Sequence, residues 1–180
     1  MSRDPLVGDS ERRINDAAER RRAERSQRND ARAKLSLRAL LTAAAAERCE
    51  VVIETVAGVT RRLVIIEIGE DGFAATLRNG VVIVQRNSSL ASVTTGHGFP
   101  LTATDETASD ETDLGGNADF VDLIRRWIEP DTSISARSGN ATFAGVLSAI
   151  GTDVIAIAAT SGVLTYVSVD SLAEVSASSS

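Results

Sequence analysis

The chain has 180 residues, one cysteine and no apolar run of the roughly 20 residues that span a bilayer, so the sequence excludes an internal disulfide and a transmembrane helix. Hydrophobic residues make up 43 % of it but aromatic residues only 3 %, so Val, Ile, Leu and Ala must fill the core. The net charge of −6 is uneven: residues 1–38 carry eleven basic and seven acidic residues (+4), the remainder eight and eighteen (−10), which points any polyanion contact to the N-terminal arm.

Pro5 and Gly8 break the first residues, and no apolar stretch follows the N-terminal charges. No secretory signal is therefore expected, and a cytoplasmic location is the default. A long helix is predicted from Asp9 or Ser10 to about Glu47. Its first part is polar all round and makes a charged arm over residues 1–34. Opposite charges recur four apart in Arg12–Asp16, Asp16–Arg20, Arg20–Glu24, Glu24–Arg28 and Asp30–Lys34, each pair adding about 0.2–0.5 kcal/mol. Arg20, Arg21, Arg22, Arg25, Arg28 and Arg32 are the candidate contacts for RNA, DNA or an acidic partner. The competing explanation is a solvated helix that pairs its own charges.

From Leu35 the pattern turns amphipathic. Leu37, Leu40, Leu41, Ala44 and Ala45 form one stripe, expected to dock on a first module over residues 35–93. Five strands are predicted in it: 50–56, 61–68, 73–78, 81–86 and 90–93. The run Leu63-Val64-Ile65-Ile66 implies a strand buried on both faces or strongly bent. Asn79-Gly80 is expected as a two-residue hairpin turn with positive φ at both positions. Cys49 alternates with apolar neighbours and is expected to be a structural thiol.

Residues 94–118 are rich in Thr, Asp, Glu and Gly and are expected to be an extended linker. The sole histidine, His97, lies there between glycines and suggests no ligand. Asp119 should cap a helix over 120–129 that stops at Pro130. Phe120, Leu123, Ile124, Trp127 and Ile128 form its apolar stripe, with Trp127 as a plug and Arg125 and Arg126 outside. A second module completes 119–176, with strands 133–137, 142–150, 154–159, 164–169 and 172–175 and a tail at 177–180.

Residues 68–93 and 150–175 are one pattern met twice, 82 positions apart. Gly69 falls on Gly151, Asp71 on Asp153, Gly80 on Gly162, Ser89 on Ser171, Leu90 on Leu172 and Val93 on Val175. Turn glycines and core apolar residues are what a fold needs, so the chain reads as a tandem duplication.

A helix followed by five short strands, with Gly145-Val146-Leu147 in the bent second strand and Gly162–Val175 as the last two, resembles the Sm-like barrels of the Sm, LSm and Hfq group. The whole layout is similar to actinobacterial proteins with an Arg/Glu-rich N-terminal helix and two such barrels. The resemblance implies a mostly β fold of two tandem five-stranded barrels, each preceded by a helix, plus the long N-terminal helix. Its RNA readers place Asp and Asn in the loop after strand two and Arg-Gly after strand four. Here the corresponding pairs are Glu70-Asp71 and Thr152-Asp153, then Arg86-Asn87 and Val169-Asp170. Only Arg86 and Asn87 match well enough to be candidate nucleic-acid contacts.

No Ser/His/Asp set, metal-ligand spacing or phosphate loop is present, so neither an enzyme nor a cofactor is expected. The reading is a non-catalytic interaction or scaffold protein that associates with a protein partner, or with itself, through strand edges and has no membrane role. The alternative is an RNA- or DNA-associated regulator whose arm contacts phosphates.

Overall fold

The computed structural model describes residues 36–96 and 117–177. In chain order they form α1 (Leu37–Ala46), β1 (Glu50–Thr55), β2 (Thr60–Ile68), β3 (Gly72–Leu77), β4 (Val82–Arg86) and β5 (Leu90–Thr95). The second half repeats this with α2 (Phe120–Trp127), β6 (Ser133–Ser138), β7 (Ala141–Ile150), β8 (Val154–Ala158), β9 (Leu164–Ser168) and β10 (Glu174–Ala177).

The ten strands form one antiparallel sheet in the order β5-β1-β2-β3-β4-β10-β6-β7-β8-β9. This corrects the expectation of two five-stranded Sm-like barrels, since no barrel closes among the described residues. In each half the fifth strand returns to the first, β5 onto β1 and β10 onto β6. Short 3-10 turns at Asn87–Ser89 and Val169–Ser171 lead the chain away from the fourth strand rather than back along it. Closing the first half would require β5 on the outer edge of β4, and β10 of the second half holds that edge.

The long N-terminal helix is a second correction. Ser36 is extended (φ −109°, ψ 154°), and its hydroxyl accepts the Ala39 N–H at 3.0 Å. A new helix therefore starts at Leu37, and none runs unbroken from Ser10 to Glu47. The arm with its six candidate arginines lies outside the described residues, as does His97. Asp119 caps α2 in the same way, accepting the Asp122 N–H at 2.8 Å. No described helix is long and apolar enough to cross a membrane.

The duplication extends to local detail. The second strand of each half slips register at equivalent places, between Ile65 and Glu67 and between Leu147 and Ala149. These bulges bend the strands, as the run at Leu63–Ile66 suggested. Gly145 sits where β7 crowds β8, and a Cβ there would collide with the Ala158 carbonyl and the Ile157 side chain. The β3–β4 hairpin differs from the expected two-residue turn, and the β8–β9 hairpin has the same form as β3–β4. Only Gly80 (φ 80°) and Gly162 (φ 82°) are left-handed, and the Leu77 and Ala159 N–H groups bond to Val81 O and Val163 O. Each is a three-residue loop closed by a left-handed glycine.

Segment boundaries shift where pairing outweighs local propensity. Thr94 and Thr95, read as linker, belong to β5 beside β1. Ala177, read as the start of a tail, and Ser176, read as lying past the last strand, are held between β4 and β6. Ala118 is buried, and its carbonyl accepts the Glu70 N–H at 2.8 Å.

Two cores result. Leu41, Ala44 and Ala45 of α1 pack with Val51, Ile53, Leu63, Ile65, Phe73 and Ile83, and the free, half-buried Cys49 lies against this core. The other core joins Phe120, Leu123 and Ile124 of α2 to Leu147, Ile155 and Val175, and also to Ala74 and Val84 from the first half. So α2 lies over β3 and β4 of the opposite half as well as over its own. Trp127 is half-buried on this core rather than plugging a barrel.

Candidate functional site: the seam and the free sheet edges

Two features of the sheet bear on function: the seam where its halves join, and the two strands that end it. At the seam Gln85 faces Glu174, Val84 faces Val175, Ile83 faces Ser176 and Val82 faces Ala177. The Arg86 N–H extends the ladder to Ala173 O at 2.9 Å.

Arg86, a sequence candidate for RNA contact, is the main polar tie of this seam. Its Nε donates to Leu172 O at 3.0 Å and its Nη2 to Val169 O at 3.1 Å, while Nη1 pairs with Asp71. The guanidinium also stacks over the Phe120 ring at 4.4 Å. A planar fork with five donors suits such a set of carbonyls, carboxylate and ring. Asn87 opens the 3-10 turn and donates its N–H to Asp71 O at 2.8 Å, and its Oδ1 is buried and unpaired. The structure thus brings Arg86 and Asn87 together around Asp71.

Sequence reasoning missed the other seam residues. Gln85, fully buried, donates to Ala173 O at 3.0 Å and to the Ser89 hydroxyl. Arg61 on β2 reaches the buried Glu174 at 2.6 Å across the seam. Glu67 on β2 accepts the Trp127 indole N–H at 2.6 Å and pairs with Arg126, which is exposed as expected. Arg125 donates to Gly151 O at 2.8 Å. The 82-residue offset could have flagged part of this set, because Arg86 and Gln85 fall on Ser168 and Val167. Polar groups present in only one copy of a repeat mark what distinguishes the two.

A cavity of about 170 Å³ opens beside the seam, lined by Thr55, Val56, Gln85, Ser89, Arg137 and Glu174. Gln85 Oε1 and Glu174 Oε2 are buried without partners. Among the described residues no three His, Cys, Asp or Glu side chains gather as a metal site.

Among the described residues the sheet ends at β5 and β9, each paired on one side only. Neither strand carries a charged residue or a proline, the usual means of blunting an open edge. Val163, Leu164 and Tyr166 at the β9 edge are exposed. No protein-family model and no curated protein matches the chain, so these edges are the feature on which a functional reading can rest.

Proposed function

We propose that the chain is a non-catalytic interaction protein that binds a protein partner by adding a strand to its sheet. The observation that supports this most directly is the pair of uncharged terminal strands, with Val163, Leu164 and Tyr166 exposed at one of them. Main-chain hydrogen bonds along such an edge supply affinity, and alternate side chains supply selectivity. The test is purification of the full chain from its own cells at moderate salt, as wild type and as Tyr166→Pro. Stoichiometric protein association that the substitution abolishes is the expected result. Association indifferent to both sheet edges would overturn the reading.

A second reading, that of an RNA- or DNA-associated regulator, is favoured by the charge split between arm and body. The engagement of Arg86 inside the seam concentrates the remaining candidate cations on the arm. Binding to a single-stranded polyanion should then weaken with salt at a log–log slope of about −0.7 per phosphate neutralised. It should be lost when residues 1–34 are removed, and salt-insensitive binding would exclude it.

A further inference from the structure

We infer that the cavity beside the seam binds a small free α-amino acid, such as alanine, through its ammonium and carboxylate groups together. This goes beyond the strand-edge reading and does not depend on it.

The cavity wall carries polar groups with unused hydrogen-bonding capacity. The register sets Gln85 opposite Glu174 and Glu174 opposite Arg137. Residues directly opposite share one face of a sheet. The three therefore stand in a row across β4, β10 and β6, and all of them line the cavity. Gln85 is 1 % exposed and Glu174 3 %. The Ala173 carbonyl accepts from Gln85 Nε2 at 3.0 Å, which fixes the donor end of that amide and leaves Oε1 an acceptor without a donor. Arg61 takes Glu174 Oε1 at 2.6 Å, and Oε2 is buried and unpaired. Half-buried Arg137 makes no side-chain hydrogen bond or ion pair among the described residues.

The repeated fold does not require these groups. Across the 82-residue offset Gln85 falls on Val167, Glu174 on Ser92 and Arg61 on Phe143. Buried acceptors left without donors cost stability. A polar set kept at that cost, in one copy of a repeat only, points to a ligand that supplies the missing partners.

The chemistry of the wall selects the ligand. Two unpaired acceptors call for a donor, and an ammonium carries three N–H groups. The Arg137 guanidinium calls for a carboxylate, which it can hold in a fork. A bare anion would meet the two acceptors and a bare cation would meet Arg137, so both charges are needed side by side. The terminal torsions of Gln and Glu are broad, so small turns bring Oε1 and Oε2 to the wall as the ligand enters. Size sets the rest. The volume is about 170 Å³, and a cavity of about 150 Å³ holds benzene, with its roughly six non-hydrogen atoms. Glycine, alanine and serine are of that size. Ala57 and Ala173 give a short side chain an apolar wall, and Val56, 71 % exposed, marks the mouth. Gln85 comes from the first half, Glu174 and Arg137 from the second, so the ligand ties the two halves together.

The experiment is thermal unfolding and titration calorimetry of the full chain with glycine, L-alanine and L-serine. L-leucine, acetate and methylammonium are the comparison probes. The unfolding midpoint of wild type should rise with the logarithm of alanine concentration, and the heats should saturate at one ligand per chain. Leucine, acetate and methylammonium should each bind about tenfold more weakly or worse. Arg137→Gln and Glu174→Gln should each weaken alanine binding by about tenfold or more, the loss of one charge-assisted contact. Arg137→Gln removes no contact within the described residues and should match wild type in circular dichroism and in its ligand-free midpoint. It decides the matter if Glu174→Gln, which strands Arg61, does not fold. Folded wild type with no saturable binding of glycine, alanine or serine would overturn the proposal. So would alanine binding indifferent to Arg137→Gln, or leucine, acetate or methylammonium binding as tightly as alanine.

Discussion

Arg86 shows how far one side chain can be committed to structure. It satisfies two backbone carbonyls, pairs with Asp71 and stacks on Phe120. Arg86→Ala should destabilise the chain by about 2–4 kcal/mol, because those acceptors lose a charge-assisted donor in a partly buried place. Arg86→Lys should recover only part of this, since an ammonium cannot fork. Urea unfolding of the three proteins checks both statements. Glu50 makes a contrasting, surface case. Arg78 grips both its oxygens, at 2.6 and 3.0 Å, with Arg62 nearby. The Arg78 hydrogen bond, then its charge and that of Arg62, hold the Glu50 carboxyl below its usual value against the opposing effect of desolvation. Its folded pKa thus lies below the unfolded one. The contribution is complete above the unfolded value and disappears as pH falls through the folded one. Unfolding midpoints of wild type and Glu50→Gln should differ by a constant amount at neutral pH and converge in acid. A gap that widened on acidification would contradict this assignment.

At the scale of elements, the second strands decide how the sheet curves. β2 and β7 carry bulges at matching places, and Gly145 lets β7 press against β8. Gly145→Ala forces a methyl group into the Ala158 carbonyl, so β7 and β8 must separate. A loss of about 1–3 kcal/mol is expected from this overpacking, in place of the gain that Gly→Ala brings at an unstrained site. Thermal unfolding measures it, and a raised midpoint would show that the strands relax freely. The helices follow the same logic of placement. Each starts at a capping side chain, yet α1 covers its own half while α2 reaches over both.

On the scale of the whole molecule, the seam makes the halves interdependent. Val84 and Ala74 of the first half belong to the core built around α2. Glu67 holds Trp127, the only tryptophan, across the same boundary. Repeats of this size are marginal alone, and separating them would expose that shared core. The chain should therefore unfold in one transition, with Trp127 emission and far-UV circular dichroism coinciding along a urea titration. Two resolved steps would mean that the seam is weaker than its buried contacts imply.

Local physics made much of this legible from sequence. Turn glycines, the Asp119 cap, the stripes of both helices and the apolar alternation placed most elements, because each depends on near neighbours in the chain. The repeat at 82 residues was visible for the same reason, and with it the equivalence that relates Tyr166 to Val84. What needed the tertiary structure was pairing between distant strands. Whether β4 accepts β5, β10 or no strand depends on which edge is free in space, and a period of two does not record that. The same holds for Arg86, whose partners Leu172 and Val169 lie more than eighty residues away. It holds too for Ser176 and Ala177, poor strand formers that become a strand between two others. Sequence determined the modules and their kinship, and only the fold decided that they share one open sheet with two ends unpaired among the described residues.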